Sequence, residues 1–190
     1  GIRLPLIIRQ PGRKNPGAVQ SAMVTWADIT PTLLDAAGAL PAKPAIPFHG
    51  RSFAAGLDGV ALSDRDEIYA SHTMHEVTMY YPMRVVRTRR YKLIHNLANS
   101  LTYPFALDLI QSPTWIGVQR SGSDRYGKRL IKDFLHRPPF ELYDLETDPD
   151  EINNLADSPA HAKTKAELVA KLKTFQTATQ DPWIHKWTYE

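Results

Sequence analysis

The chain of 190 residues contains no cysteine. This excludes disulfide frameworks, thiolate zinc sites and cysteine nucleophiles together. It does not locate the protein, because secreted bacterial proteins often lack disulfides. No apolar run approaches the roughly 18 residues that a bilayer span needs. There is no N-x-[ST] sequon, which weighs weakly against a glycosylated lysosomal protein. Charge of either sign is nearly balanced, with 23 Lys+Arg against 20 Asp+Glu and a net charge of +3. That surplus does not call for nucleic acid. The G-x-S-x-G elbow, the P-loop and G-x-G-x-x-G are all missing, so no nucleophile or phosphate-cradling motif is evident. The opening "GIRLPLIIRQPG" has too short an apolar core for a signal peptide, and no small-residue cleavage site follows. It starts abruptly in strand-like sequence, as a fragment of something longer would.

What is present fits a packed protein. The hydrophobic fraction is 43% and the aromatic fraction 9%. Fifteen prolines cluster between periodic segments and imply long ordered loops. Residues 4–9, "LPLIIR", predict a short buried strand. "TWADITPTLLDAAG" predicts a helix that starts near Thr30, with Pro31 in its first turn and Gly38 as its stop. The Pro-rich "LPAKPAIPFHG", extended through "RSFAAGLDG", is the best boundary. From Glu67 the chain turns strand-like: "EIYASH", "MRVVRT", "YKLIHNL" and "FELYDL", with "TRRY" as a hairpin turn. Residues 98–139 have little periodicity, which in a compact domain marks a functional or partly mobile insertion. Residues 160–178 predict the clearest helix, with Leu168, Leu172 and Phe175 as its stripe.

Three constellations stand out. "HTMHEVTMYYPMR" (72–84) packs His72, His75, Glu76, Tyr80, Tyr81 and Arg84 into thirteen positions. A zinc helix would place its histidines four apart, and an extended chain sends residues three apart to opposite faces, so the spacing argues against metal. Hydrogen-bonded structural groups and a ligand-reading loop both remain, and the density of charged and aromatic groups favours the loop. "RVVRTRRYK" holds Arg84, Arg87, Arg89, Arg90 and Lys92, a solvated hairpin or a patch for a polyanion. "DLETDPDEINNLA" lacks the glycine and glutamate spacing of an EF-hand and predicts a structural turn, with Asp148 as an Asx or N-cap residue.

"FELYDLETDPDEINNLA" (140–156) resembles the closing signature of the sulfatases. "HEVTMYYPMR", followed by "V-x-x-R-x-x-x-L-x-H-N-L", is similar to the heparan N-sulfatase branch (sulfamidase, N-sulfoglucosamine sulfohydrolase). So is "DPW" at Asp181–Trp183. "DITPTLLDAAG" and "HGRSF" resemble the end of the large sulfatase α/β domain.

The resemblance implies an α/β (α+β C-terminal subdomain) fold. Residues 1–60 would close the large domain, supplying its last strand and helix. Residues 61–190 would form a small antiparallel four-stranded sheet packed by a C-terminal helix. It implies a hydrolase acting on the N-sulfate, or an O-sulfate, of glucosamine in heparan-type glycans. Formylglycine and calcium would belong to a missing N-terminal portion, whose Asp-Asn-Gly segment would lie just before Gly1. "YYPMR" matches x-x-P-x-R, but Tyr80 cannot become formylglycine. This chain would therefore hold no catalytic or metal residues and be inactive alone.

By the same resemblance His75, Glu76, Arg84, Tyr80, Tyr81 and, secondarily, His72 would bind substrate. Glu76 would accept from sugar hydroxyls, His75 would donate to a hydroxyl or sulfate oxygen, Arg84 would pair with a carboxylate or sulfate, and the two tyrosines would form a wall. The expected partners are a sulfated sugar and the N-terminal sulfatase domain, without nucleic acid or membrane, and self-association stays open. The family suggests a periplasmic, secreted or lysosomal setting, with the bacterial periplasm favoured. The alternative is a stand-alone polyanion-binding module built on the basic hairpin 84–92.

Overall fold

A computed structural model describes residues 2–12, 15–77 and 79–189. The chain divides into two units, Gly1–Ile68 and Tyr69–Glu190. In the first unit, a 3-10 turn at Trp26–Asp28 leads into helix α1, Ile29–Ala36. Pro31 sits in the first turn, where backbone N–H groups have no intrahelical partner to lose. Gly38 follows the helix at φ 67°, a left-handed conformation that glycine adopts without a Cβ penalty. Its N–H bonds Asp35 O at 2.9 Å, and Ala39 N–H bonds Leu34 O at 2.8 Å, so two terminal carbonyls are satisfied.

Buried Asp28 organises this unit. It accepts from Thr25 N (2.9 Å), Arg51 N (2.7 Å) and Arg65 Nη1 (3.1 Å). The glycine of "HGRSF" is required by close approach, because a Cβ on Gly50 would overlap the Ala27 carbonyl. A short helix α2, Ala54–Leu57, follows.

Residues 4–9 do not form the expected buried strand. They are irregular, with Leu4 63% and Ile7 91% exposed. A strand is stable only when a neighbour takes its N–H and C=O groups, and no described residue pairs with this segment in a sheet.

The second unit carries β1 (Glu67–Met74, whose first two residues fall in the first unit), β2 (Tyr80–Thr88) and β3 (Tyr91–Asn96). Residues 98–139 are ordered into α3 (Leu107–Ile110), α4 (Pro113–Ser121), a ribbon of β4 (Arg125–Tyr126) and β5 (Arg129–Leu130), and α5 (Ile131–Leu135). Aromatic contacts among Tyr103, Phe105, Trp115, Tyr126 and Phe134 hold this segment together, where a helical or strand period would otherwise be expected. Then come β6 (Phe140–Asp144), α6 (Ala162–Ala178) and a final 3-10 turn, Pro182–Trp187. The large sheet is four-stranded and antiparallel, in the order β1-β2-β3-β6.

Register sets which residues share a face. Val86 pairs with Leu93 and Leu93 with Leu142, which gives one apolar row beneath Leu168 and Leu172 of α6. Each fully buried aliphatic side chain in that row contributes about 1.5–3 kcal/mol. Two residues along, Arg84 pairs with His95 and His95 with Phe140, on the same helix-covered face.

The acidic turn after β6 is structural. Asp144 takes Arg90 (2.7 Å), Asp148 Oδ2 accepts from Ile152 N and Asn153 N (both 2.7 Å), and Glu151 pairs with Lys92. Asn154 then lines the free edge of β6. It accepts from Leu142 N (2.8 Å) and donates to Phe140 O (3.0 Å), while Leu155 N bonds Leu142 O (2.8 Å). An otherwise unpaired strand edge is thereby covered.

Candidate functional site

The stretch 72–84 spans the end of β1, a short loop and the start of β2. The loop is closed by its own backbone: His75 N bonds Met79 O (3.2 Å), and Met79 N bonds Glu76 O (2.9 Å). Met79 is buried and pins the loop, while Val77 at the tip is 97% exposed.

The six candidate residues divide sharply. His75 is exposed at the loop. Glu76 is half-buried, and its Oε1 accepts from Leu107 N at 3.0 Å, the first N–H of α3. One carboxylate oxygen therefore steadies the insertion. Tyr80 is 45% exposed. Tyr81 is fully buried and packs edge-on against Tyr103 at 5.0 Å. Burial, only partly offset by Arg137, pushes its phenol up to about 12. Consecutive strand residues alternate faces, so the two tyrosines cannot form one wall, and Tyr81 presents nothing to a sugar. His72 is half-buried, with Nδ1 3.0 Å from Tyr81 O. A carbonyl only accepts, so Nδ1 carries the proton in that contact.

Arg84 departs furthest from expectation. It is 7% exposed, and its guanidinium is spent internally. Nε donates to Asp181 Oδ2 (2.5 Å) and Nη2 to Asp181 Oδ1 (2.9 Å), a two-pronged ion pair. Nη1 donates to Met83 O (3.0 Å) and His72 O (3.3 Å). Binding a sulfate would require breaking that pair. Burial raises the Asp181 pKa, but hydrogen bonds from Arg84, Trp183 N and Gln176 outweigh it and hold the carboxyl at about 2.

Asp181 thus explains "DPW". It accepts from Trp183 N (3.0 Å) and Gln176 Nε2 (3.0 Å), and Gln176 Oε1 accepts from Trp187 Nε1 (2.7 Å). Asp181, which holds Arg84, and Gln176, which holds Asp181, are structural supports that residue-type reasoning passed over. The signal for Asp181 was its place in a motif ninety-seven residues away in sequence from Arg84.

The polyanion alternative loses its charge in the same way. Arg84 pairs with Asp181, Arg90 with Asp144 and Glu146, and Lys92 with Glu151. These three cations of 84–92 have carboxylate partners within the fold and Arg89 is also engaged, so the free basic stripe this alternative needs is not there. A recess of about 460 Å³ is lined by Ser123, Asp124, Leu130, Ile131 and Lys132, none of them from 72–84. Among the described residues no three His, Asp or Glu side chains converge as a metal cage, and no helix is long and apolar enough to cross a membrane.

Comparison with known proteins agrees with this architecture. The chain is 33% identical over 97% of its length to the human N-sulphoglucosamine sulphohydrolase, and spans 38% of that protein. It is 26% identical over 95% of its length to an ulvan-active sulfatase of Formosa agariphila, spanning 34% of it. A protein solved in complex with its substrate D-glucosamine-2-N,6-O-disulfate superposes with a TM-score of 0.62 at 25% identity, over 94% of this chain and 29% of that one. Residues 1–117 match the family described as N-sulphoglucosamine sulphohydrolase, C-terminal, and the chain belongs to that family.

Proposed function

We propose that the chain is the substrate-reading part of a sulfatase that hydrolyses sulfated glucosamine in heparan-type glycans, at the N-sulfate or an O-sulfate. The nucleophile and the calcium would be held by residues outside the 190 described by this sequence. The carrying observation is the pinned loop that presents exposed His75, half-buried Glu76 and Tyr80 at one end of the sheet. Those are hydrogen-bonding and stacking groups without a nucleophile, which is what orienting a sugar requires. The names borne by the human relative and the glucosamine-disulfate complex support the sugar class. Arg84 and Tyr81 act beneath the loop as its foundation.

The test uses the enzyme that joins this chain to a sulfatase catalytic portion. His75→Ala should lower kcat/KM on N-sulfoglucosamine by about tenfold or more, the worth of a hydrogen bond to a charged group. Activity on an aryl sulfate, which lacks the sugar, should stay unchanged. Equal kinetics on the sugar would remove His75 from the site.

A further inference from the structure

Trp183 is half-exposed beside Tyr80, with ring centroids 6.4 Å apart and planes tilted by 46°. The two rings come from opposite ends of the second unit's sequence. Trp183 is set rigidly: Pro182 fixes the chain direction, Asp181 caps the Trp183 N–H, and Arg84 and Gln176 lock Asp181. Among the described residues neither the Tyr80 hydroxyl nor the Trp183 indole N–H has a hydrogen-bond partner, whereas the indole of nearby Trp187 does. Buried tyrosine and tryptophan usually satisfy these groups, so a half-exposed pair with both polar tips free is matched to an amphipathic ligand. Tyr80 follows the 75–79 loop directly, so the pair continues the candidate site.

We propose that Tyr80 and Trp183 form an aromatic shelf that stacks a second pyranose ring, the sugar attached to the sulfated glucosamine read by the His75 loop. A pyranose has an apolar C–H face and a rim of hydroxyls. The negative ring faces meet the polarised C–H bonds, and the free phenol and indole groups meet the rim. The shelf bears no charge, since Arg84 beneath it is neutralised. It therefore selects for chain length, while the loop selects for the sulfated residue. This inference rests on the proposed sugar-reading role of the loop.

The experiment titrates the isotope-labelled enzyme that contains this chain, its nucleophile inactivated, with N-sulfoglucosamine and with an N-sulfated heparan disaccharide, following amide and tryptophan indole resonances. The disaccharide should bind about fivefold more tightly than the monosaccharide, an aromatic contact's worth. Trp183→Ala and Tyr80→Ser should each bring that ratio towards one, while Trp183→Phe keeps most of it. Should Trp183→Ala fail to fold, Tyr80→Ser and Trp183→Phe still decide, because exposed Tyr80 carries little of the packing. An unchanged ratio in Tyr80→Ser, with shifts at residues 72–77, overturns the shelf and leaves the loop's role standing. No shift anywhere in 72–84 with either sugar overturns both.

Discussion

Arg84 is only 7% exposed, and its carboxylate partner Asp181 lies on a segment far along the chain. Removing Asp181 leaves a buried charge uncompensated. Asp181→Ala should cost about 3–5 kcal/mol in urea unfolding of the chain. The double variant Arg84→Met with Asp181→Ala should recover much of that loss. No recovery would mean that the pair is not the source of the stability. His95 makes a second residue-scale prediction. It lies between Phe140 (4.6 Å) and Trp187 (4.2 Å), and its Nδ1 has no partner. Burial, then the charges of Lys173 and Arg84, bring its pKa down from 6.5 to about 4. A depressed value means that the folded state prefers the neutral ring. The stability from His95 is therefore whole above pH 6.5 and lost as pH falls through about 4. Between pH 7 and 4.5 the chain should lose about 2 kcal/mol through this group, and His95→Phe should lose that much less. Asp181, held near 2, keeps its contribution across the same window and loses it only in stronger acid.

Among the elements, the large sheet's strands were legible in the sequence from their β-rich composition, and the last helix from its apolar period. The β2–β3 hairpin turned at "TRRY", β6 fell on "FELYD", and Leu168 and Leu172 gave α6 its buried stripe. The insertion was not legible as helices, since α3 and α5 have only four and five residues and are held by aromatic contacts across the segment. Residues 4–9 have strand composition, yet composition cannot supply a pairing partner. The faces of Tyr80 and Tyr81 could have been separated by strand alternation, but the Arg84–Asp181 pair spans ninety-seven positions and no local pattern foretells it. The edge-covering role of Asn154 gives this scale its prediction. Asn154→Ala removes the acceptor of buried Leu142 N, and should cost about 1–3 kcal/mol and speed amide exchange along β6. Slow exchange at Leu142 in the variant would show that Asn154 is dispensable there.

For the whole molecule, the chain spans 38% of the human relative and 34% of the ulvan-active one. The first unit displays Leu4, Ile7, Trp26 and Ile46 at 63%, 91%, 82% and 82% exposure, apolar groups open to contact with a second copy. The 190-residue chain should therefore associate with rising concentration, and Ile7→Lys should reduce that association in sedimentation without altering unfolding of the second unit.

The central claim is that residues 72–80 read the sugar and the basic hairpin does not. Hydrogen exchange of the enzyme that contains this chain, with and without N-sulfoglucosamine, measures it most directly. Added protection at residues 72–80, with 87–92 unchanged, is the expected result. Protection at 87–92 with none at 72–80 would contradict the account and return the chain to the class of polyanion binders.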